Sequence, residues 1–250
     1  MAMSSMVVAL LISNSRNHID LGIGAVFAAL GTGALAGLVN GVALTWAHIP
    51  SFMATLGTWY AALGVATVLF GGTSVIIRSH SFNALGGGSI GGLEPIVFIA
   101  VGVAVAGWAF LRYTRAGRVM RAIGSNEPLL GLSGVPVKRY KVLAFVIGGT
   151  LSALAGVLAS AQVENGSVNI GTGMLFTTIS AVVMGGTVLT GGKGGIGNTV
   201  VGVLLLTVVT NGMVLAGITP NLQQAVEGVI IVGAVVTALW PQRSRLQIAK

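Results

Sequence analysis

The chain has 250 residues, 54% hydrophobic and 7% charged, where a soluble domain is about 45–50% apolar and about 25% charged. Thirteen Lys and Arg with five Asp and Glu cannot dress a chain of this length in a water-facing surface, which excludes a soluble enzyme, a disordered tail and a fibrous protein. Zero cysteines remove disulfides, zinc–thiolate sites and thiol catalysis, and the net charge of +8 comes without the basic groove and interleaved aromatics that nucleic acid requires. The class that remains is an all-α, polytopic transmembrane helix bundle, read as one domain over residues 1–250.

A spanning helix needs about 20 mostly apolar residues. Residues 1–13 are too few to cross comfortably and read as a helix remnant, ending in a polar stretch with Arg16, His18 and Asp20. No positive charge precedes this run and no small-residue cleavage pattern follows it, so it is not a signal peptide. The runs 21–46, 50–70, 93–111, 142–161, 196–218 and 222–240 are predicted spans. Residues 177–189 are a short or partly re-entrant helix running into the glycines between Gly185 and Gly197.

Basic residues orient the bundle. Seven of the thirteen fall in the loop 112–141 (Arg112, Arg115, Arg118, Arg121, Lys138, Arg139 and Lys141); Lys193, Arg243, Arg245 and Lys250 follow, and Arg16 and Arg78 stand apart. Eleven on one side against two predicts a cytoplasmic C-terminus and a cytoplasmic 112–141 loop. Trp46, Trp108, Tyr113 and Trp240 then sit at cytoplasmic helix ends, at headgroup depth. Trp59 and Tyr60 lie midway along a span and are expected to pack inside the bundle.

Helices in lipid associate by close packing, which small residues permit. Ala25, Ala29, Gly33, Gly37 and Gly41 recur every fourth position in one span, and Gly148, Ser152, Gly156 and Ser160 in another; both rows are expected at helix contacts. Gly31-Thr-Gly33 lies inside a span with no preceding strand and is no dinucleotide fingerprint. The turn Thr190-Gly-Gly-Lys-Gly-Gly-Ile-Gly197 fails as a phosphate loop, because Thr187 and Gly194 hold positions where that loop needs glycine and Ser or Thr. His18, His48 and His80 are spaced for no metal site, and no nucleophile elbow occurs. No enzyme chemistry, cofactor or metal is expected within the chain.

In the 112–141 loop, residues 125–133 are predicted to form a short helix. Ser125 or Asn126 would be its N-cap, with Glu127 and Pro128 in the first turn and Gly134 as its stop. It would present Leu129, Leu130 and Leu132, either to a cytosolic partner or as an ordinary interfacial helix.

The stretch Gly124-Ser-Asn-Glu-Pro-Leu-Leu-Gly-Leu-Ser-Gly-Val135 resembles the Gly-x-Asn-Glu-x-Ala-x-x-x-Ser-Gly-[Val/Ile] signature of permease subunits of ABC importers for ribose, xylose, arabinose and related sugars. Pro128, Leu129 and Leu130 stand where that family carries its alanines. Ala181-Val-Val-Met-Gly-Gly-Thr-Val-Leu-Thr-Gly-Gly-Lys-Gly194 is similar to a second stretch of the family, and Asn40-Gly41 with Ile49-Pro-Ser-Phe-Met-Ala-Thr-Leu-Gly-Thr58 to a third. Branched-chain amino-acid permeases share the architecture but usually lack the Thr-Gly-Gly-Lys-Gly turn. The resemblance implies that the family's first one or two helices are missing from this sequence.

The resemblance implies a multi-pass permease of the bacterial inner membrane. Its partners would be two ABC ATPase subunits, a periplasmic sugar-binding protein, a second permease subunit in a homo- or heterodimer, membrane lipid and a small-molecule sugar or polyol. Gly124, Asn126, Glu127, Leu130, Ser133 and Gly134 would form the ATPase-coupling loop, and Gly191, Gly192, Lys193 and Gly194 a cytoplasmic turn. Thr178, Thr207, Thr210 and Asn211 are candidate pathway residues, with hydrogen bonds to neighbouring helices as the plainer alternative. Glu227 is either a functional ionisable group or one that snorkels to the surface. A branched-chain amino-acid permease and a shortened, non-transporting assembly subunit are the alternatives. An ion-coupled secondary transporter is disfavoured, since Glu227 and some glycine interruptions are all the midplane chemistry on offer.

Overall fold

A computed structural model describes residues 1–12, 21–89, 91–188, 191–192 and 194–219, with 222–223, 225–226, 228–230 and 233 beyond them. The helices are α1 (Ala2–Leu11), α2 (Ile23–Thr45), α3 (Ser51–Phe70), α4 (His80–Gly87), α5 (Pro95–Tyr113), α6 (Arg115–Ser125), α7 (Glu127–Leu132), α8 (Val137–Gln162), α9 (Met174–Met184) and α10 (Ile196–Leu215). Two short strands, β1 (Val75–Ile76) and β2 (Asn165–Gly166), pair antiparallel. Five helices among the described residues, α2, α3, α5, α8 and α10, are long and apolar enough to cross a membrane, and the chain is a multi-pass membrane protein. They match five of the six predicted spans; the sixth, 222–240, lies largely outside the described residues.

The chain divides into two compact units, Met1–Gly102 with Pro136–Gly171, and Val103–Val135 with Thr172–Lys250. In the first, α1 is the centre. Met6, Val8, Ala9 and Ile12 are buried with Ala25 and Ala29 of α2, Ala66 of α3, Phe82 of α4, and Val157 and Ala161 of α8. The polar face of α1 is satisfied internally: the Ser4 hydroxyl donates to the Met1 carbonyl at 2.8 Å, and the Ser5 hydroxyl accepts from the Ser167 amide at 3.1 Å. Residues 13–20, the expected polar stretch after it, lie outside the described residues.

The small-residue row of α2 does two jobs. Ala25 and Ala29 face α1, while a Cβ on Gly33 or Gly37 would strike the Gly149 or Phe145 carbonyl of α8, and one on Gly41 would lie 2.8 Å from Val142 Cα. A four-residue repeat advances about 40° per step around a 3.6-residue helix, so one row serves two neighbours in succession.

On α8 the expected row is corrected. Gly148 faces open space and Ser152 is exposed. The seam with α2 uses Val142, Phe145, Gly149 and Ala153, and continues through Gly156 and Ser160 toward α1. These positions follow the 3.6-residue period rather than a strict step of four. Trp59 and Tyr60 are corrected as well: they are 45% and 64% exposed, with ring centroids 5.1 Å apart. Depth along a span says nothing about which way a residue faces, and these two do not face the core.

At one end of this unit β1 and β2 close a small cap, with Val75 opposite Gly166 and the Ile77 amide donating to the Glu164 carbonyl at 2.9 Å. The Asn83 side-chain amide donates to the Ile77 carbonyl at 3.2 Å and ties α4 to it.

In the second unit α9 packs on α10 backbone to backbone. A Cβ on Gly202 would strike the Ala181 carbonyl and lie 2.6 Å from the Gly185 amide. At 11 residues, α9 is about 16 Å long and cannot cross a ~30 Å hydrocarbon core. This agrees with the short helix expected over 177–189, shifted toward the N-terminus.

Three helices of this unit, α7, α9 and α10, end alike. A glycine at φ +74, +79 or +71 (Gly134, Gly186, Gly217) follows each. Paired bonds run to the carbonyls just before it: Val135 to Leu130 with Gly134 to Gly131, Thr187 to Val182 with Gly186 to Val183, and Ile218 to Met213 with Gly217 to Val214. This is the Schellman motif, and it accounts for part of the chain's glycine excess.

Candidate functional site: the 112–141 segment and the glycine-rich turn

The 112–141 segment, which reads as a loop with one short helix, holds two helices, α6 and α7, between the end of α5 and the start of α8. Helix α6 starts at a tight corner. Thr114 caps it by accepting from the Gly117 amide at 3.0 Å, and its hydroxyl donates to the Phe110 carbonyl at 2.6 Å. A Cβ on Gly117 would strike that carbonyl and come within 2.5 Å of Leu111 Cα, so the absent side chain lets α6 fold back on the end of α5. Arg115, Arg118 and Arg121 are exposed, whereas Val119, Met120 and Ile123 are half-buried. Spaced by three and four, the two sets lie on opposite faces.

Helix α7 forms as its residues dictate. The Asn126 side-chain oxygen accepts from the Leu129 amide at 3.2 Å, Glu127 and Pro128 fill the first turn, and Gly134 at φ +74 closes the end. Of the two expected caps, Asn126 is the one used. The Ser133 hydroxyl donates to the Leu129 carbonyl at 3.0 Å. Leu129 is 61% and Leu132 90% exposed, and Leu130 is half-buried. Two leucines left in the open on one short helix offer an apolar anchor of the kind buried at interfaces.

The sequence motifs expected at separate places come together here. A Cβ on Gly124, at the end of α6, would lie 2.8 Å from the Gly192 amide. One on Gly191 would lie 2.8 Å from the Gly124 carbonyl, and one on Gly192 3.0 Å from the Ser125 hydroxyl. Gly191 and Gly192 sit at φ +91 and +79, a conformation other residues rarely adopt. Beside them, a Cβ on Gly194 would lie 2.5 Å from the Thr187 methyl. The turn thus grips the last turn of α6, one residue before the Asn126 cap of α7. No sequence pattern joins positions 124 and 191; only packing does. Lys193 lies outside the described residues.

The other expected site residues are not gathered here. Thr207, Thr210 and Asn211 occupy the later turns of α10, with Thr207 and Asn211 exposed; Thr178, also exposed, lies on α9. The Thr178, Thr207 and Thr210 hydroxyls donate to the carbonyls of Met174, Val203 and Leu206, at 2.6, 2.8 and 2.9 Å. These are bonds within their own helices, not to a neighbouring one as expected, because a threonine hydroxyl reaches its own preceding turn more readily. The Asn211 side chain forms no hydrogen bond among the described residues. Glu227 falls outside them. Among the described residues no group of His, Asp or Glu could hold a metal ion.

Residues 1–235 match the family described as "Branched-chain amino acid transport system / permease component". A ribose import permease protein of Escherichia coli K12 is 37% identical over 174 residues, 68% of this chain and 54% of that protein. An L-arabinose ABC transporter permease protein of Azospirillum brasilense is 37% identical over 188 residues, 74% of this chain and 54% of that protein. The L-arabinose transport system permease protein of Escherichia coli K12 is 35% identical over 156 residues, 62% of this chain and 48% of that protein. The chain spans about half the length of the curated relatives it matches. No solved structure matches it.

Proposed function

The chain belongs to the permease-component family of branched-chain amino acid transport systems, and from that premise we propose that it is the membrane subunit of an ABC importer for a monosaccharide or related polyol. The observation that carries this reading is α7, capped at both ends, with Leu129 and Leu132 exposed and its base held by Gly191 and Gly192. A rigid, apolar projection beside an arginine-rich helix is what a soluble motor subunit needs in order to push on a membrane domain. The sugar is supported by the relatives, whose names specify ribose and arabinose.

In this reading two ATPase subunits hydrolyse ATP and this chain hydrolyses none. A periplasmic binding protein delivers the cargo, and a second permease subunit completes the channel in the bacterial inner membrane. Glu127, Leu130, Ser133 and Gly134 shape the surface that meets the ATPase. Asn211, with its side-chain amide unused among the described residues, lies near Thr207 and Thr210 on α10 and serves the polar pathway; Thr178 and Glu227 belong to the same proposal. Coupling is a two-state rearrangement in which α7 follows the ATPase.

Co-reconstitution with the cognate ATPase and binding protein tests this directly. ATP hydrolysis should rise with sugar-loaded binding protein, and labelled pentose should accumulate, while the purified chain alone hydrolyses nothing above background. The family's description names amino acids, so labelled leucine is the competing cargo; its uptake in place of the pentose would move the assignment to an amino-acid permease.

The cytoplasmic placement of the C-terminus and of 112–141 has its own test, since the chain contains no cysteine. In intact cells a cysteine at Ser125 or Ser244 should resist an impermeant thiol reagent, and one at Ser81 should react. The reverse pattern would invert the topology.

A further inference from the structure

The corner between α5 and α6 gathers basic side chains around two aromatic rings. Arg112 lies over two rings, 5.2 Å from the centroid of Trp108 and 5.9 Å from that of Tyr113, and the rings meet edge to face at 5.7 Å. Arg118 reaches back from α6 and donates to the Tyr113 carbonyl at 3.4 Å. Two guanidinium groups are therefore drawn to one tyrosine at the end of a candidate span, and Arg115 opens the first turn of α6. Arg112, Arg115 and Arg118 are all exposed, and none of them forms an ion pair among the described residues.

Like charges gathered without a counter-charge repel. Cation–π attraction holds the Arg112 guanidinium beside the rings while leaving its forked N–H donors available, a chemistry suited to the two oxygens of a phosphodiester. Trp and Tyr prefer headgroup depth, which sets the guanidinium groups level with lipid phosphates. Helix α6, basic on one face and apolar on the other, has the pattern of a helix lying along that surface.

We propose that the α5–α6 corner binds the phosphate of an anionic phospholipid through Arg112, Arg115 and Arg118, with Trp108 and Tyr113 as its platform. The lipid supplies the counter-charge that the described chain does not, and it ties the start of α6 to the membrane. The site depends on neither the cargo nor the ATPase, so it stands or falls independently of the transport reading.

Trp108 reports on the site. The full chain carrying Trp46→Phe, Trp59→Phe and Trp240→Phe keeps Trp108 as its single tryptophan. In mixed bilayers, brominated phosphatidylglycerol should quench Trp108 in preference to brominated phosphatidylcholine, by about fivefold or more in relative affinity. Arg112→Gln with Arg118→Gln should bring that preference to about one. Equal quenching by the two lipids in the Trp108 chain itself would overturn the proposal, whatever the fate of the arginine variant, and would leave these arginines a role in topology alone. A lipid preference that survives the double substitution would overturn it too. So would a double variant that keeps its lipid preference and loses the ATPase, since an acidic protein surface would then be the partner.

Discussion

Gly37→Leu should leave little folded protein. The substitution places a side chain where the Phe145 carbonyl lies and where Val146 Cα comes within 2.8 Å of the Cβ position, so α2 and α8 must separate. Lipid offers no hydrophobic gain for keeping two helices together; their adhesion is the close backbone contact itself. Overpacking a tight contact costs about 1–3 kcal/mol when neighbours can adjust, and here the neighbour is backbone. The cost should exceed about 3 kcal/mol, a large part of a total stability of about 5–15 kcal/mol. Gly31→Leu, on the same helix with nothing within 4 Å of its Cβ position, is the control and should be tolerated. Size-exclusion profiles and melting temperatures of the two variants check this; equal recovery of both would mean the α2–α8 seam is not as described.

The second large effect falls on transport rather than folding. Gly134 sits at φ +74 with open space around it, so a side chain there meets no clash, only a conformation it disfavours. Valine, branched at Cβ, should cost about 1–3 kcal/mol in place and unwind the last turn of α7, whose carbonyls depend on the Gly134 and Val135 amides. Glu127→Lys reverses the charge in the first turn of α7 and adds to a segment already rich in arginine. Gly191→Val acts from the other side, since a Cβ there lies 2.8 Å from the Gly124 carbonyl. All three should express and insert, and sugar uptake should fall at least about tenfold, the effect expected when about 1.4 kcal/mol of a coupling contact is lost. Gly195→Ala, in the same turn with nothing within 4 Å of its Cβ position, should transport normally. Normal uptake in all three variants would show that α7 is an interfacial helix and nothing more.

Much of this arrangement is legible in the residues. Five spans show as apolar runs of sufficient length. Helix α7 shows because Asn126, Glu127, Pro128 and Gly134 each act on the backbone nearest to them. The small residues of α2 show because close approach needs them wherever the partner lies.

What is hidden is what depends on distant partners. The α8 face that meets α2 includes Val142 and Phe145, which no search for small residues selects. Helix α6 reads as loop because its arginines mask an apolar face carried by Val119, Met120 and Ile123. The strands β1 and β2 are two residues each, too short for any alternation, and exist only because Val75 and Gly166 meet. The contact between Gly124 and Gly191–Gly192 joins two recognisable motifs, and nothing local in either announces the other.

If α7 is the surface on which an ATPase docks, as proposed, recovery of the ATPase on the purified chain depends on its two exposed leucines. Leu129→Asp with Leu132→Asp alters two exposed side chains without touching the Asn126 cap or the Gly134 stop. With the permease tagged and the ATPase co-expressed, at least about tenfold less ATPase should be retained, as for two anchor residues of an interface, with permease yield unchanged. Full retention of the ATPase together with normal sugar uptake would contradict it.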